Sequence, residues 1–261
     1  MSWRTIVVTQ RCKLSYKNNY LIVRGEDNTM IHLSEINIIL VDSTLVSITS
    51  YLICELMKRK IKLILCDEKR NPHSEIIPYY GSHNSSKRIL IQTRWREESK
   101  KRIWPSIVEQ KITNQAKLLK SLNKGDYKKL FYYVEQIQYN DSTNREGHAA
   151  KVYFNSLFGI EFNRNIESNI NAALDYGYSI ILSTFNKEIV SNGYLTQLGI
   201  NHRNEYNHYN FACDLMEPFR ILVDEVVYKN NNKEFDINYR MRLVDLLNKK
   251  VKIDGKKQYL S

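Results

Sequence analysis

The chain has 261 residues, 43% of them hydrophobic, which is sufficient for a real core divided between two domains. Thirty-nine Lys and Arg against 28 Asp and Glu leave a net charge of +11, a balance that points to a polyanionic partner, nucleic acid first and an anionic membrane surface second. No apolar run approaches the ~18 residues of a membrane-spanning helix, MSWRTIVVTQRCK lacks the apolar core of a signal peptide, and Cys12, Cys54, Cys66 and Cys213 form no CxxC pair, so the expectation is a cytoplasmic protein, with no membrane partner, whose thiols are reduced and mostly buried.

In chain order, TIVVT, YLIVRG, MIHL and INIILV are short runs rich in Ile, Val and Tyr, separated by the turn signals KNN and GEDN, and predict strands. VSITSYLICELMKRK then places Ile48, Leu52, Leu56 and Met57 at helical spacing, and IKLILCD reads as a further strand. The pattern breaks from Asp67 to about Ser86, where Pro72, Pro78 and Gly81 interrupt a polar stretch that reads as a linker. Beyond Lys87 glycines are few and amphipathic runs such as SIVEQKITNQAKLLKSL predict long helices, with NNNK at 230–233 as a loop. The expected fold class is α+β. A small β-rich N-terminal domain with one helix, linker included, occupies 1–84, and a larger, mainly α-helical domain occupies 85–261.

Residues 87–130 hold thirteen Lys and Arg against four acidic residues, interleaved with Trp95, Trp104 and Tyr127. Two readings stand: a solvated helical face, or a platform for backbone phosphates whose affinity falls steeply with salt.

Three segments carry candidate chemistry. In STNREGHAAKVYFNSLFG, a helix beginning near Thr143 places Glu146 on one face with Ala150, Tyr153 and Leu157, so that its carboxylate continues an inward stripe and needs a partner. Thr143 and Glu146 equally match a T-x-x-E capping box. In FACDLMEPFR, Asp214 and Glu217 lie three apart on a helix whose Phe211, Leu215, Met216 and Phe219 face the core, and these acids repel each other unless a cation intervenes. A surface pair tied to Arg220 is the alternative. His202, in the Asn-rich loop NHRNEYNH, has two readings, a loop that folds back over that helix or a lone solvated histidine, and the neighbouring Asn side chains would brace the loop through local backbone bonds. A zinc set of His202, His208, Cys213 and Asp214 has the spacing of no common finger. P-loop, dinucleotide and serine-esterase motifs are absent, and Cys213, inside an apolar helix, is a poor thiolate.

Taken together, MSWRTIVV, LSYKNNYLIV, CDEKRNP, PYYGSHNSSKRI, REGHAAKVYF and GINHRNEYNHYNFACDLMEPFR resemble the CRISPR adaptation integrase, the universal spacer-acquisition protein of CRISPR systems, in the form that accompanies type II systems. The resemblance spans nearly the whole chain, and its last two blocks are the specific ones. It implies a β-rich N-terminal domain that dimerises, a helical catalytic domain, and a divalent ion, Mg2+ or Mn2+, bound by Glu146, His202 and Glu217 as catalytic and metal-ligating residues, with Asp214 in support. The donor set of one nitrogen and several carboxylate oxygens suits those ions.

The implied activity is that of an endonuclease and integrase of antiviral defence, in which a donor 3′-hydroxyl attacks a phosphodiester at the edge of a CRISPR repeat. Implied partners are double-stranded DNA as donor spacer and repeat, a homodimer mate, a small ferredoxin-like adaptation protein, a DNA-encircling accessory protein and the effector nuclease. The sequence ends at Ser261, earlier than the resemblance implies, and the expectation is a C-terminal helix that is missing or shortened. The competing function is a non-catalytic, basic DNA-binding or architectural module; a zinc-bound structural protein is a third.

Overall fold

A computed structural model describes residues 4–78, 82–253 and 256–259. Met1–Trp3 of the MSWRTIVV block and Tyr79–Gly81 of the predicted linker lie outside the described residues. The α+β organisation expected from the sequence is present, strands first and then mostly helices. Two compact units divide the chain. The first takes 1–85, 190–193 and 244–261, and the second takes 86–189 and 194–243.

In the first unit, β1 (Arg4–Val8), β2 (Cys12–Lys17), β3 (Tyr20–Arg24), β4 (Asn28–His32), β5 (Ile36–Val41) and β6 (Val46–Ile48) precede α1 (Ser50–Lys58), followed by β7 (Lys62–Cys66) and β8 (Pro72–Glu75). They form two four-stranded sheets, in the orders β1-β5-β7-β8 and β4-β3-β2-β6. β5 pairs in parallel with β1 and β7, and all six of its residues, INIILV, are buried. An unbroken apolar run of this kind suits a strand covered on both faces. The β2–β3 hairpin turns at Asn18 and Asn19, both with positive φ, a conformation Asn tolerates better than most residues. Leu14, Leu21, Leu33, Ile39, Leu52 and Leu63 belong to the core of this unit.

Several local expectations need correction. The helix predicted over VSITSYLICELMKRK begins only at Ser50, because Val46–Ile48 pairs in parallel with β2 and the Thr49 side chain caps the backbone N–H of Leu52. Ile48 therefore lies on a strand. β2 carries too few adjacent apolar residues to stand out in sequence. Pro72–Glu75, inside the predicted linker, closes the sheet edge antiparallel to β7, where a proline is tolerated at the start of an edge strand. The cysteines are free but not mostly buried: Cys54 is exposed and the other three are half-buried.

The second unit is built from α2 (Ser85–Thr93), α3 (Glu97–Ser121), α4 (Tyr127–Glu135), α5 (Arg145–Phe158), α6 (Asn169–Ser191), α7 (Asn210–Met216), α8 (Ile221–Lys229) and α9 (Ile237–Val244). Trp104, Val108, Ile112, Leu119, Tyr153 and Phe211 are among its core residues. α3 is the spine, packing against α4, α5 and α8. After α9 the chain returns to the first unit, where the turn Asp245–Asn248 packs on β1, and β9 (Lys250–Ile253) and β10 (Lys256–Tyr259) form an antiparallel pair. No helix of the described residues is long and apolar enough to cross a membrane.

Candidate metal centre and basic face

Glu146 enters the site from the first turn of α5. The turn that starts this helix is not the T-x-x-E box: Thr143 donates to the Gln136 carbonyl at 3.4 Å, and the cap is Asn144, in the left-handed region at φ 50°, whose side chain accepts from Gly147 N. The buried Asp141 carboxylate takes the N–H groups of Arg145 and Glu146 at 2.8 and 3.0 Å. With its helix start satisfied by Asn144 and Asp141, the Glu146 side chain is free to reach elsewhere. Tyr153 and Leu157 continue its face into the core as the spacing predicts, joined by Ala149 rather than Ala150, which is only half-buried.

Glu217 sits where α7 gives way to a short 3-10 turn, and it is buried, as is Asp214. The surface-pair alternative therefore fails for both acids, although the tie to Arg220 exists: its Nε donates to Glu217 Oε1 at 2.9 Å. Lys111, from the middle of α3, places its ammonium 2.7 Å from Glu146 Oε1 and 2.6 Å from Glu217 Oε2. Burial pushes the Glu217 carboxyl up, but Lys111 and Arg220 outweigh it and hold that group below its ordinary value. Burial likewise pulls the Lys111 ammonium down, and the two carboxylates more than restore it.

The loop from 194 to 208 is held by identifiable hydrogen bonds. Gln92 accepts from Leu195 N and donates to the Leu195 and Leu198 carbonyls, and Asn210 donates to the Gln197 and Asn204 carbonyls. Asn204 and Asn207 bind the backbone N–H two residues onward at 2.9 Å, the local bracing expected of this Asn-rich stretch. His202 folds back over α7: its Nδ1 lies 2.6 Å from Asp214 Oδ1, and Trp104 meets its ring edge-on. A carboxylate oxygen against Nδ1 favours the tautomer protonated at that nitrogen, and in that neutral form Nε2 keeps its lone pair. That Asp214 contact raises the imidazole pKa, against the effect of burial.

Glu146, Glu217 and Lys111 are thus brought together, with His202 held beside them by Asp214. Among the described residues no three His, Cys, Asp or Glu side chains converge closely enough to hold a metal ion, and a cation already bridges the two glutamates. This applies also to the zinc set, in which His202 meets Asp214 while Cys213 faces Asn207. The donor chemistry nevertheless fits a hard divalent ion: two carboxylates aim at one positive centre, and a carboxylate-oriented imidazole is the usual arrangement of a metal-ligating histidine.

Lys111 is what spacing did not reveal; Asp214, which the resemblance puts in support, lies against His202. Lys111 looks in sequence like one more cation of the 87–130 run, and the signal that separates it is its position beside the helical stripe of Trp104, Val108, Ile112 and Gln115, all of which are buried. Ten of the thirteen cations in the run are exposed. Of the interleaved aromatics, Trp104 is buried and Trp95 packs on the core, whereas the half-buried Tyr127 has the Lys120 ammonium 5.9 Å from its ring centre. The run is thus a charged surface without exposed indoles.

A family described as CRISPR associated protein Cas1 matches residues 5–238 of this chain. Over 230 residues the chain is 34% identical to the CRISPR-associated endonuclease Cas1 of Neisseria meningitidis serogroup C (strain 8013), covering 87% of this chain and 75% of that protein. A second relative, the CRISPR-associated endonuclease Cas1 1 of Francisella tularensis subsp. novicida (strain U112), is 26% identical over 239 residues, 83% of this chain and 75% of the relative. In fold, the chain is similar to a casposase bound to integration product, with TM-score 0.79 and 19% identity over 100% of this chain and 86% of the other. It is also similar to a CAS1 protein from Thermotoga maritima, with TM-score 0.71 and 19% identity over 89% and 79%. A Cas6-RT-Cas1–Cas2 complex matches with TM-score 0.74 and 23% identity, over 98% of this chain and 33% of that one.

Proposed function

We propose that this chain, which belongs to the CRISPR associated protein Cas1 family, is a divalent-metal-dependent DNA integrase and endonuclease of CRISPR spacer acquisition. The observation that carries the reading is the convergence of Glu146 and Glu217, 71 positions apart in sequence, on one positive centre beside an imidazole fixed by a buried carboxylate. Glu146, Glu217 and His202 Nε2 would hold Mg2+ or Mn2+, which supplies Lewis-acid stabilisation of the charge that develops on the reacting phosphate. Relatives named as endonucleases and the fold likeness to a casposase with its integration product support the reaction class.

In the reaction, a donor 3′-oxygen forms a new P–O bond to a phosphodiester at the repeat edge while that phosphate's bond to its own 3′-oxygen breaks. The proton of the attacking hydroxyl ends on the leaving oxygen, and the bond count is unchanged, so no nucleoside triphosphate is consumed. With water as the attacker the same exchange is hydrolysis. Asp214 holds the His202 ring and its loop in place, and the exposed cations of α2, α3 and α4 supply the phosphate contacts of double-stranded DNA.

Partnership with a small ferredoxin-like adaptation protein is supported by the fold likeness to Cas1–Cas2 complexes. A homodimer through the β-rich unit, and cooperation with a DNA-encircling protein and effector nuclease, belong to the same proposal. The test is strand transfer on labelled branched DNA with Mn2+ or EDTA, comparing wild type with Glu217→Ala and His202→Ala. Metal-dependent joining that both variants lose, with DNA binding retained, is the expected result. Salt-sensitive binding without joining, unaltered by Mn2+ even with the small partner added, would favour the non-catalytic basic module instead.

A further inference from the structure

Lys111 is set apart from the rest of the basic run. Its side chain is only 12% exposed, and its ammonium contacts one oxygen of each glutamate. Those are oxygens that a divalent ion at this place would also need, and an ammonium and a dication cannot share them without strong like-charge repulsion in a partly dry setting. One turn along α3, Asn114 Nδ2 donates to the Pro218 carbonyl at 2.9 Å. This bond ties the helix to the segment that bears Glu217, so α3 itself is not free to withdraw. The four-carbon lysine stem is the mobile part.

Glu217 also keeps a second partner. Arg220 holds Oε1 while Lys111 holds Oε2, so departure of the ammonium would free one oxygen and leave the other fixed. Glu146, the more exposed of the two acids, marks the side on which the ammonium can leave. Two carboxylates against the ammonium and the guanidinium form a charge-balanced set drawn entirely from the chain itself.

We propose that Lys111 is a resident counter-cation that competes with divalent metal for Glu146 and Glu217, so that metal affinity is set by displacement of its ammonium. The inference rests on the metal-site reading above. Its consequence is that the chain folds with the site closed by its own cation, and that metal loading is weak for a site of this charge.

The test is calorimetric titration of the full chain with Mn2+ alone, together with melting temperatures in EDTA. Lys111→Met should bind Mn2+ roughly tenfold or more tightly than wild type, should melt lower in EDTA, and should recover on addition of Mn2+, since a ligand of the native state stabilises it. Glu217→Gln should lose Mn2+ binding. If Glu217→Gln loses the ion but Lys111→Met binds it no better than wild type, the competition is refuted and the metal site stands. If neither wild type nor Lys111→Met binds Mn2+, both readings fall. Should Lys111→Met be unfolded in EDTA, refolding by Mn2+, followed by circular dichroism, supports the proposal, and failure to refold overturns it. Lys111→Arg retains a cation and should bind Mn2+ no more tightly than wild type; tighter binding would contradict the competition.

Discussion

His202 Nδ1 lies 2.6 Å from Asp214 Oδ1, and the same fully buried carboxylate accepts the backbone N–H groups of Ile200, Asn201 and His202 at 2.5, 3.0 and 3.1 Å. One side chain therefore sets both the path of the loop and the orientation of the imidazole it carries. Asp214→Ala strands three backbone donors, at a cost of about 3–5 kcal/mol, measurable by urea unfolding. Asp214→Asn retains the shape but loses the charge that orients the ring, and should lower Mn2+ affinity by roughly 10- to 100-fold, measured by calorimetry.

Gly199 sits under that loop for lack of space. A Cβ there would lie 2.5 Å from the His202 carbonyl oxygen and 2.8 Å from Asp214 Oδ2. Gly199→Ala must move backbone or displace the carboxylate, and a loss of ~1–3 kcal/mol is expected. Strand transfer should fall together with stability, whereas a variant that joins DNA at the wild-type rate would show that the loop tolerates the shift.

Asp224, fully buried on α8, accepts from Tyr153 at 2.8 Å and from Tyr178. Burial raises its pKa to about 6 although the two hydroxyls oppose the shift. Between an unfolded value near 3.8 and about 6 the folded state binds more protons than the unfolded one, so this group's stabilisation is full below the lower value and is lost as pH rises through the upper. The difference is on the order of 3 kcal/mol. Asp224→Asn should flatten that part of the stability profile, read from chemical denaturation at a series of pH values; an unchanged slope would mean that another group titrates there.

On α3, Lys101 and Arg102 are exposed members of the basic run. If they meet DNA phosphates, Lys101→Glu with Arg102→Glu should weaken duplex binding and reduce the slope of log K against log salt by about 0.9 for each phosphate that is no longer neutralised. Fluorescence anisotropy at several salt concentrations measures it, and a slope equal to that of wild type would place the phosphate-binding cations elsewhere on the surface.

Much of the fold is legible in the sequence because it depends on local order. β5 is an unbroken apolar run and α3 repeats its apolar positions at helical spacing, so strand and helix can be read there from side-chain pattern alone. Val46–Ile48 and Pro72–Glu75 are not legible, because their strand character comes from the partners β2 and β7, not from their own residues. The start of α5 misleads in the same way: Thr143 and Glu146 have the right spacing for a box, but Asp141 and a left-handed Asn144 reach the free N–H groups first.

By itself the sequence determined the α+β class and the basic helical run, which follow from composition and periodicity, and it marked Glu146, His202, Asp214 and Glu217 as candidates, grouped into one site only by the family resemblance. Only the tertiary structure decided what those groups do to one another. It buried Asp214 and Glu217, assigned the first to the His202 loop and the second to Arg220, and brought Lys111 between two glutamates that lie 35 and 106 positions away in the chain. Contacts over such separations depend on how helices pack, and one lysine among thirteen cations carries no local mark of the carboxylates it will meet.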